Sequence, residues 1–231
     1  MRILIRLIRW DLKIQVRNNI LTVAILIALI YTALFLALGL RGNDDILIAL
    51  IFSDPTFMGF LFTGVLVLFE KSANTLQAIA VSPVKIWQYL FSKAISLTLI
   101  SLIICFAMVF AGHGFHFNYF YFFIAIFLSS VLFIFFGFIG VAKVKTFNQY
   151  IIVIPLFIAP LSLPYLNFFG IADSWLFYIL PTQASFILFR GAFEKLDPGE
   201  IIYAIGYLIF SIGILYNISK MLFLKHLVRK M

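Results

Sequence analysis

Long apolar runs are the feature that most constrains this chain. Six stretches of about 20 residues each contain at most one charged residue, and short polar segments separate them. A helix of about 20 apolar residues spans the roughly 30 Å hydrocarbon core of a bilayer. The candidate spans are 20–40, 46–69, 94–112, 119–142, 149–168 and 201–223. The pattern predicts an all-α, polytopic membrane protein with six transmembrane helices.

The composition excludes a soluble fold. Hydrophobic residues make up 64% of the 231 residues and charged residues only 11%, with a mean hydropathy of +1.13. So few charges cannot provide the polar shell that a soluble domain of this size needs. We therefore treat residues 1–231 as a single transmembrane domain. Within it, Pro155, Pro160 and Pro164 are expected to kink the fifth span or end it early.

The distribution of Lys and Arg predicts the topology. With six spans, 14 of the 17 basic residues fall on the side of both termini, and only Arg41, Arg190 and Lys195 fall on the other. The positive-inside rule then places both termini in the cytoplasm of a multi-pass protein of the cell (inner) membrane. The net charge of +8 reflects this orientation and is not a sign of nucleic-acid binding.

Residues 1–19 form a separate element before the first span. Five basic residues recur at helical spacing, while four apolar residues mark another face. The basic set is Arg2, Arg6, Arg9, Lys13 and Arg17, and the apolar set is Ile3, Leu7, Trp10 and Ile14. This pattern predicts an amphipathic helix in the membrane interface. The alternative is a positive-inside anchor with no further role.

The cytoplasmic loop at residues 70–93 predicts a second short helix. Ser72 or Asn74 can cap it, and Pro83 makes Ser82 its probable end. Apolar residues at positions 76, 79 and 80 form a stripe at helical spacing. The alternative is a plain connector between two spans.

The same loop carries a family resemblance. The string Glu70-Lys71-x-x-x-Thr75-Leu76-x-x-Ile79-x-Val81-Ser82-Pro83, followed by Tyr89-Leu90-x-x-Lys93, resembles the signature of ABC-2 type transporter permeases. The resemblance implies a coupling helix that docks on a cytoplasmic ATP-binding cassette ATPase. The implied coupling residues are Glu70, Lys71, Thr75, Leu76, Ile79, Ser82, Pro83 and Lys93. Asn74 stands where the family usually has Gly, and Asn tolerates the left-handed backbone that this turn needs.

A second match precedes the last span. Leu180-Pro181-Thr182, followed by Phe186 through Arg190-Gly191, resembles the Pro-Leu-Thr and Arg-Gly segment of the same family. The resemblance implies short extracytoplasmic re-entrant helices within 169–200, with Pro181, Thr182, Arg190 and Gly191 as their marker residues. The Asp54-Pro55 pair and the run Val67–Glu70 look most like the drug-export, fluoroquinolone-type branch.

No phosphate-binding loop is present. Gly59 and Gly64 have the spacing of such a loop, but Val65 follows them where Lys is required. We therefore expect no enzymatic activity, no cofactor on this chain, and ATP with Mg²⁺ bound on the partner ATPase. The resemblance also implies a second permease copy or a paralogue, because these permeases act in pairs.

The sequence thus predicts the permease subunit of an exporter for a hydrophobic or amphiphilic compound, drug-like or lipid-like, driven by alternating access. The alternatives are a haem-export or cytochrome-maturation permease and a membrane scaffold. The 29 Phe residues suit an aromatic cargo as well as a lipid-facing surface. Asp54 is a candidate for the substrate path, against a role in starting a helix. The pair His113 and His116 lacks the acidic or Cys support that a metal site needs.

Overall fold

The computed structural model describes residues 2–80 and 82–225, without the side chains of residues 54–58, 77 and 80. Every regular element in these ranges is helical. The helices are α1 Arg2–Arg17, α2 Ile20–Ala37, α3 Asp44–Thr56, α4 Thr63–Ser72, α5 Thr75–Ala80, α6 Ile86–Gly112, α7 Tyr119–Val141, α8 Phe147–Leu161, α9 Pro164–Phe168, α10 Pro181–Arg190 and α11 Pro198–Phe223. A π-helical turn at Phe57–Phe62 joins α3 to α4, and a 3-10 helix covers Trp175–Ile179.

Five helical segments are long and apolar enough to cross a membrane. They are α2, α6, α7, α8 together with α9, and α11. The remaining expected span, 46–69, is divided among α3, the π-helical turn and α4. Helix α6 begins at Ile86, eight residues before the expected start of the third span, and α8 ends at Leu161, directly after Pro160. These elements confirm an all-helical membrane protein in the described residues.

Helix α7 occupies the centre of the bundle. In its most apolar stretch 72% of the residues are buried, against 17% in α8 and in α11. Two glycines allow the π-helical turn to approach it closely. A Cβ atom on Gly59 would lie 2.6 Å from Phe133 Cβ, and one on Gly137 would lie 2.8 Å from Phe60 O. Larger side chains at either position would force the two backbones apart.

The π-helical turn is held by side chains from outside it. A π-helical turn interrupts the regular ladder of backbone hydrogen bonds, so its carbonyl groups need other donors. Tyr150 of α8 donates to Phe60 O at 2.5 Å, and Thr63 donates to Gly59 O at 2.5 Å. Gly64 leaves the space that the Tyr150 ring occupies, since a Cβ there would lie 2.0 Å from Tyr150 Cζ. The turn is therefore a specified feature of the fold.

Helix α1 packs along α6. All five basic residues of its predicted cationic face are exposed. Of the predicted apolar face, Trp10 and Ile3 are exposed while Leu7 and Ile14 are half-buried. The face turned to α6 instead buries Asp11 and Gln15, one helical turn apart. The helix is thus amphipathic, but a polar pair lies at the centre of its buried side.

The segment before α11 is tied to that helix by tyrosines. Tyr203 donates to Tyr178 O at 2.7 Å, and Tyr207 donates to Ile179 O. These carbonyl groups belong to the 3-10 helix, whose last turn would otherwise leave them without donors. Helix α10 then packs against both α7 and α11.

Candidate functional site

A buried ionic junction joins α1, α4 and α6. Lys93 of α6 donates to Asp11 Oδ1 of α1 and to Glu70 Oε1 of α4. The exposed fractions of these three residues are only 1%, 3% and 6%. Charges so far from water are retained only when they are paired and hydrogen-bonded. One ammonium group therefore fastens three helices that are distant in sequence.

Tyr89 completes the ionic junction. Its hydroxyl donates to Glu70 Oε2 at 2.5 Å, so both oxygens of that carboxylate are engaged. Lys93, one helical turn later, lies 5.2 Å from the centre of the Tyr89 ring, within cation–π distance. The same ring packs against Phe223 of α11 with 4.8 Å between centroids. The junction therefore also contacts the last helix.

The ionic junction contains two carboxylates but only one ammonium group. Asp11 Oδ2 is buried and has no hydrogen-bond partner among the described residues. Gln15, one turn along α1, donates to Ser96 Oγ of α6 at 2.8 Å and so continues the polar contact between the two helices. Removing Lys93 would leave two buried carboxylates facing each other without a cation, which is a large electrostatic cost.

Lys71 lies next to this junction and makes a different connection. Its ammonium group donates to Val141 O at 3.1 Å and to Val144 O at 2.7 Å, at the carboxyl end of α7. A cation is favoured there because the last carbonyl groups of a helix carry partial negative charge. Burial lowers the pKa of Lys71 to about 8. Lys71 thus ties the end of α4 to the central helix.

The loop that follows α4 contains a short helix, as the sequence predicts. Asn74 adopts a left-handed conformation with φ of 56°, and α5 starts at the next residue. The Asn in place of Gly therefore preserves the turn. Leu76 is buried and Ile79 is half-buried, whereas Ala78 is exposed. The apolar stripe of α5 is thus partly used for packing within the chain.

The end of the loop is shaped by Ser82 and Pro83. Ser82 Oγ donates to Ile79 O at 2.8 Å and accepts from the Val84 amide at 3.3 Å. Pro83 is exposed, and Thr75, the first residue of α5, is half-buried. Val81 lies outside the described residues. The predicted coupling residues therefore fall into three groups. Glu70 and Lys93 meet in the ionic junction, Lys71 binds the carboxyl end of α7, and the others lie in the loop beside the junction.

Two members of the ionic junction were not among the predicted site residues. Tyr89 is part of the resemblance, but no role follows from it. Asp11 is the only acidic residue before Asp44, and it shares a helical face with Leu4, Leu7 and Gln15 rather than with the basic residues. A lone carboxylate on the apolar side of a basic helix was the available signal.

At the opposite end of the bundle the marker residues lie around α10. Pro181 opens this helix and Thr182 is fully buried. Arg190 ends it, donates to Phe168 O at 2.7 Å and lies 3.5 Å from Asp45 Oδ1. At Gly191 a Cβ atom would lie 2.8 Å from Leu196 Cδ1, so a larger residue there would require the Leu196 side chain to shift.

His113 lies at the same end of the bundle, and both nitrogen atoms of its ring contact other residues of the chain. Its Nδ1 lies 2.7 Å from Asp44 Oδ1, and its Nε2 lies 3.2 Å from His116 O. Within 2–80 and 82–225 no three His, Cys, Asp or Glu side chains group in a way that could hold a metal ion. The backbone of Asp54 lies in α3, and its side chain is outside the described part of the chain.

Comparison with known proteins matches the entire chain. The model of the fluoroquinolones export permease protein family matches residues 2–231. Two curated relatives are fluoroquinolones export permease proteins of Mycobacterium tuberculosis, from strains CDC 1551 / Oshkosh and ATCC 25618 / H37Rv. Each is 29% identical over 231 residues, which covers 98% of this chain and 97% of the relative. No solved structure matches the chain significantly.

Proposed function

The chain belongs to the fluoroquinolones export permease protein family, and from this premise we propose that it is the membrane-spanning subunit of an ATP-binding cassette exporter of the ABC-2 type. The match over the full length carries the proposal. Its cargo is a hydrophobic or amphiphilic aromatic compound, of which the fluoroquinolones named for the relatives are the first candidates. Its motor is a separate ATPase that binds ATP and Mg²⁺.

The proposed topology has six spans. To the five apolar helical segments we add one interrupted span, 46–69, which is divided among α3, the π-helical turn and α4. Both termini then lie in the cytoplasm, α5 lies on the cytoplasmic side, and α10 re-enters the outer leaflet. Tyr203 and Tyr207 support the re-entrant arrangement, because their hydroxyls supply donors to backbone carbonyls that lipid could not satisfy.

In the proposed mechanism the loop from Ser72 to Ser82 receives the motion of the ATPase. The ionic junction lies at the base of this loop and fastens α1, α4 and α6 together. Displacement of α5 therefore moves the three helices as one body. Helix α4 continues into the π-helical turn, and such turns are frequent at functional sites. We assign the hinge of alternating access to that turn.

Docking of the ATPase is tested at α5. Ala78 is exposed, so Ala78→Asp changes the surface of the loop without disturbing buried contacts. The expected result is loss of a co-expressed ATP-binding cassette ATPase from the purified permease. Ala172→Asp, at an exposed position before the 3-10 helix, is the matched control and should retain the ATPase. Equal retention by both variants would contradict the assignment of α5.

Sidedness is tested with the same two positions. Cys105 is the only cysteine, so its replacement by Ala provides a background for single cysteines. In intact cells a membrane-impermeant thiol reagent should label Ala172→Cys but not Ala78→Cys. Labelling of Ala78→Cys from outside would reverse the topology and remove the proposed contact with an ATPase.

Transport is tested in inverted membrane vesicles that contain the permease and the ATPase. Addition of ATP with Mg²⁺ should drive uptake of norfloxacin, a fluorescent fluoroquinolone, into the vesicles. Vesicles with Ala78→Asp should show no ATP-dependent uptake, while those with Ala172→Asp should match the parent. Accumulation of haem in place of the drug would favour a haem-export permease, and absence of any ATP-dependent uptake would favour a scaffold.

A further inference from the structure

A cavity of about 220 Å³ lies between α3, α7, α8 and α9, and the proposed function does not yet use it. We call it the α3–α8 cavity. Its lining residues are Phe52, Ser53, Phe133, Ile158, Leu161, Ser162 and Tyr165. Phe52, Phe133 and Leu161 are buried and form the back wall, while the other four are half-buried and form the rim. The walls are therefore mainly aromatic and aliphatic, with hydroxyl groups near the opening.

The rim hydroxyls offer acceptors rather than donors. Ser53 and Tyr165 both lie within donating distance of Ala49 O, at 2.9 and 3.1 Å, and their hydroxyl oxygens lie 3.3 Å from each other. Ser162 donates to Ala159 O at 2.9 Å. Each hydroxyl has one proton and two lone pairs. Because each proton already has an acceptor within the protein, the remaining lone pairs are what a ligand would meet. A ligand with an N–H or O–H group is favoured over one that only accepts.

The volume restricts the size of the ligand. A dry cavity of about 150 Å³ accommodates one benzene ring, and pockets for complete drug-sized molecules measure about 300 to 1,000 Å³. At about 220 Å³ the α3–α8 cavity fits a fused pair of aromatic rings and no more. Edge-to-face packing is available on the back wall, where Phe52 and Phe133 already lie 5.8 Å apart at an interplanar angle of 67°.

Helix α8, which contributes Ile158 to the rim, has an apolar outer face that exposes Ile152, Leu156 and, just beyond its end, Leu163. We take the apolar phase beside α8 to be the route by which a ligand reaches the cavity. Phe133 also touches the π-helical turn, at Gly59. A ligand in the cavity would therefore affect the proposed hinge, because Phe133 of the back wall packs tightly against the π-helical turn.

We propose that the α3–α8 cavity is a cargo subsite that binds the fused aromatic rings of a transported molecule through an N–H or O–H donor. This inference rests on the proposed function, since it takes the bound molecule to be cargo. The back wall selects aromatic rings, the rim selects a donor, and the volume leaves the rest of a larger molecule outside the cavity.

The test uses the purified full-length permease with its ATPase and two bicyclic probes of similar size. Indole carries an N–H donor and benzothiophene carries none. Indole should raise the melting temperature of the parent, since a ligand that binds only the folded state stabilises it. Benzothiophene should need about tenfold higher concentration for the same rise, which is the usual effect of one lost hydrogen bond.

The decisive variant fills the cavity. Ile158→Trp occupies the space and should abolish the indole effect, whereas Ile152→Trp makes the same change on the exposed face of α8 and should keep it. An equal response of the two variants, or no response of the parent at millimolar indole, would overturn the subsite.

A second measurement does not depend on the folding of Ile158→Trp. In the Cys105→Ala background, indole at twice its dissociation constant should slow alkylation of Ser162→Cys about threefold and leave that of Ala159→Cys unchanged. If indole changes the alkylation rate at neither position, the subsite is also overturned.

Norfloxacin uptake by the parent distinguishes failure of this inference from failure of the proposed function. Uptake without indole binding refutes only the subsite, and binding without uptake refutes the role in transport.

Discussion

Each end of the helix bundle contains ion pairs between helices, and the pairs at the two ends differ in burial. Beside α5, Lys93 is 1% exposed and bridges two buried carboxylates. At the opposite end, the side chains of Arg190 and Asp45 are 38% and 51% exposed and their charged atoms lie 3.5 Å apart. An exposed pair contributes about 0 to 1 kcal/mol, whereas breaking a buried one costs several times more.

This difference indicates how the two ends can move. At the ionic junction, separation of the helices would leave buried charges without partners, so α1, α4 and α6 stay together. At the opposite end, water can replace either partner of the Arg190–Asp45 pair at little cost. This asymmetry agrees with the proposed mechanism, in which the end beside α5 transmits displacement and the opposite end rearranges.

The largest expected effect comes from Lys93→Met. This change leaves the carboxylates of Asp11 and Glu70 buried without a cation, and it should lower the free energy of unfolding by about 3 to 5 kcal/mol. Arg190→Met at the other end removes the exposed pair and a hydrogen bond to Phe168 O, and it should lower the free energy of unfolding by about 2 kcal/mol. Chemical unfolding in mixed micelles measures the free energy of unfolding of both variants. Similar losses for the two variants would remove the contrast between the ends.

A triple variant sharpens this prediction. When Asp11→Leu and Glu70→Met accompany Lys93→Met, no unpaired charge remains, and most of the lost stability should return. Export of norfloxacin should nevertheless stay impaired, because the three helices are then held only by nonspecific apolar packing. Full recovery of export together with stability would show that the junction has a structural role alone.

A smaller effect is expected from Tyr89→Phe. The substitution removes the hydroxyl that donates to Glu70 but keeps the ring packed on Phe223. A hydrogen bond to a charged group contributes about 1.5 to 3 kcal/mol. The matched change Tyr203→Phe removes a hydrogen bond to the carbonyl of Tyr178 near the other end and should cost about 1 kcal/mol. Thermal melting of both variants gives the comparison, and a larger loss for Tyr203→Phe would reverse it.

Asp45→Asn should have less effect still. Its carboxylate is half exposed and meets Arg190 at 3.5 Å, so the expected loss is about 0.5 kcal/mol or less. The difference between parent and variant should disappear in about 1 M salt, where the screening length falls to about 3 Å. Loss of stability from Lys93→Met should persist in the same salt, because buried pairs are screened much less. A salt-sensitive Lys93→Met defect would mean that water reaches the junction.

The last expected effect is a dependence of the free energy of unfolding on pH at Lys71. Its pKa is about 8 in the folded chain, against 10.5 when unperturbed. Between these values the unfolded chain binds a proton that the folded chain has released, so stability should rise with pH from about 8 to 10.5. Lys71→Gln should flatten this rise, and Lys85→Gln, at an exposed position, should leave it unchanged. Melting curves across this pH range provide the measurement, and a fall in stability would refute the assigned cause.

Most of the helices could be predicted from hydropathy and a few local signals. Pro160 marks the end of α8, and Asn74 supplies the left-handed turn before α5. The resemblance to drug-export permeases is confirmed by the family match. The interruption of the second expected span could not be predicted, because the π-helical turn depends on Tyr150, which is 90 residues away from the carbonyl group it satisfies.

The candidate site was predictable only in part. Glu70 and Lys93 belong to the recognisable loop, but the contact of Lys93 with Asp11 joins residues 82 positions apart. Similarly, the apolar stripe of α5 predicts a contact surface without saying which partner it contacts, and in the structure Leu76 is buried within this chain. The α3–α8 cavity likewise arises from residues in four separate helices.

The sequence by itself determined that the chain is helical and apolar, because the lengths of apolar runs act locally against a bilayer. Its basic residues predict the orientation in the same local way. Only the tertiary structure decided which polar side chains meet inside it. Burial of a charge is tolerated only when a partner arrives from another helix, and that arrival depends on the packing of every helix between them.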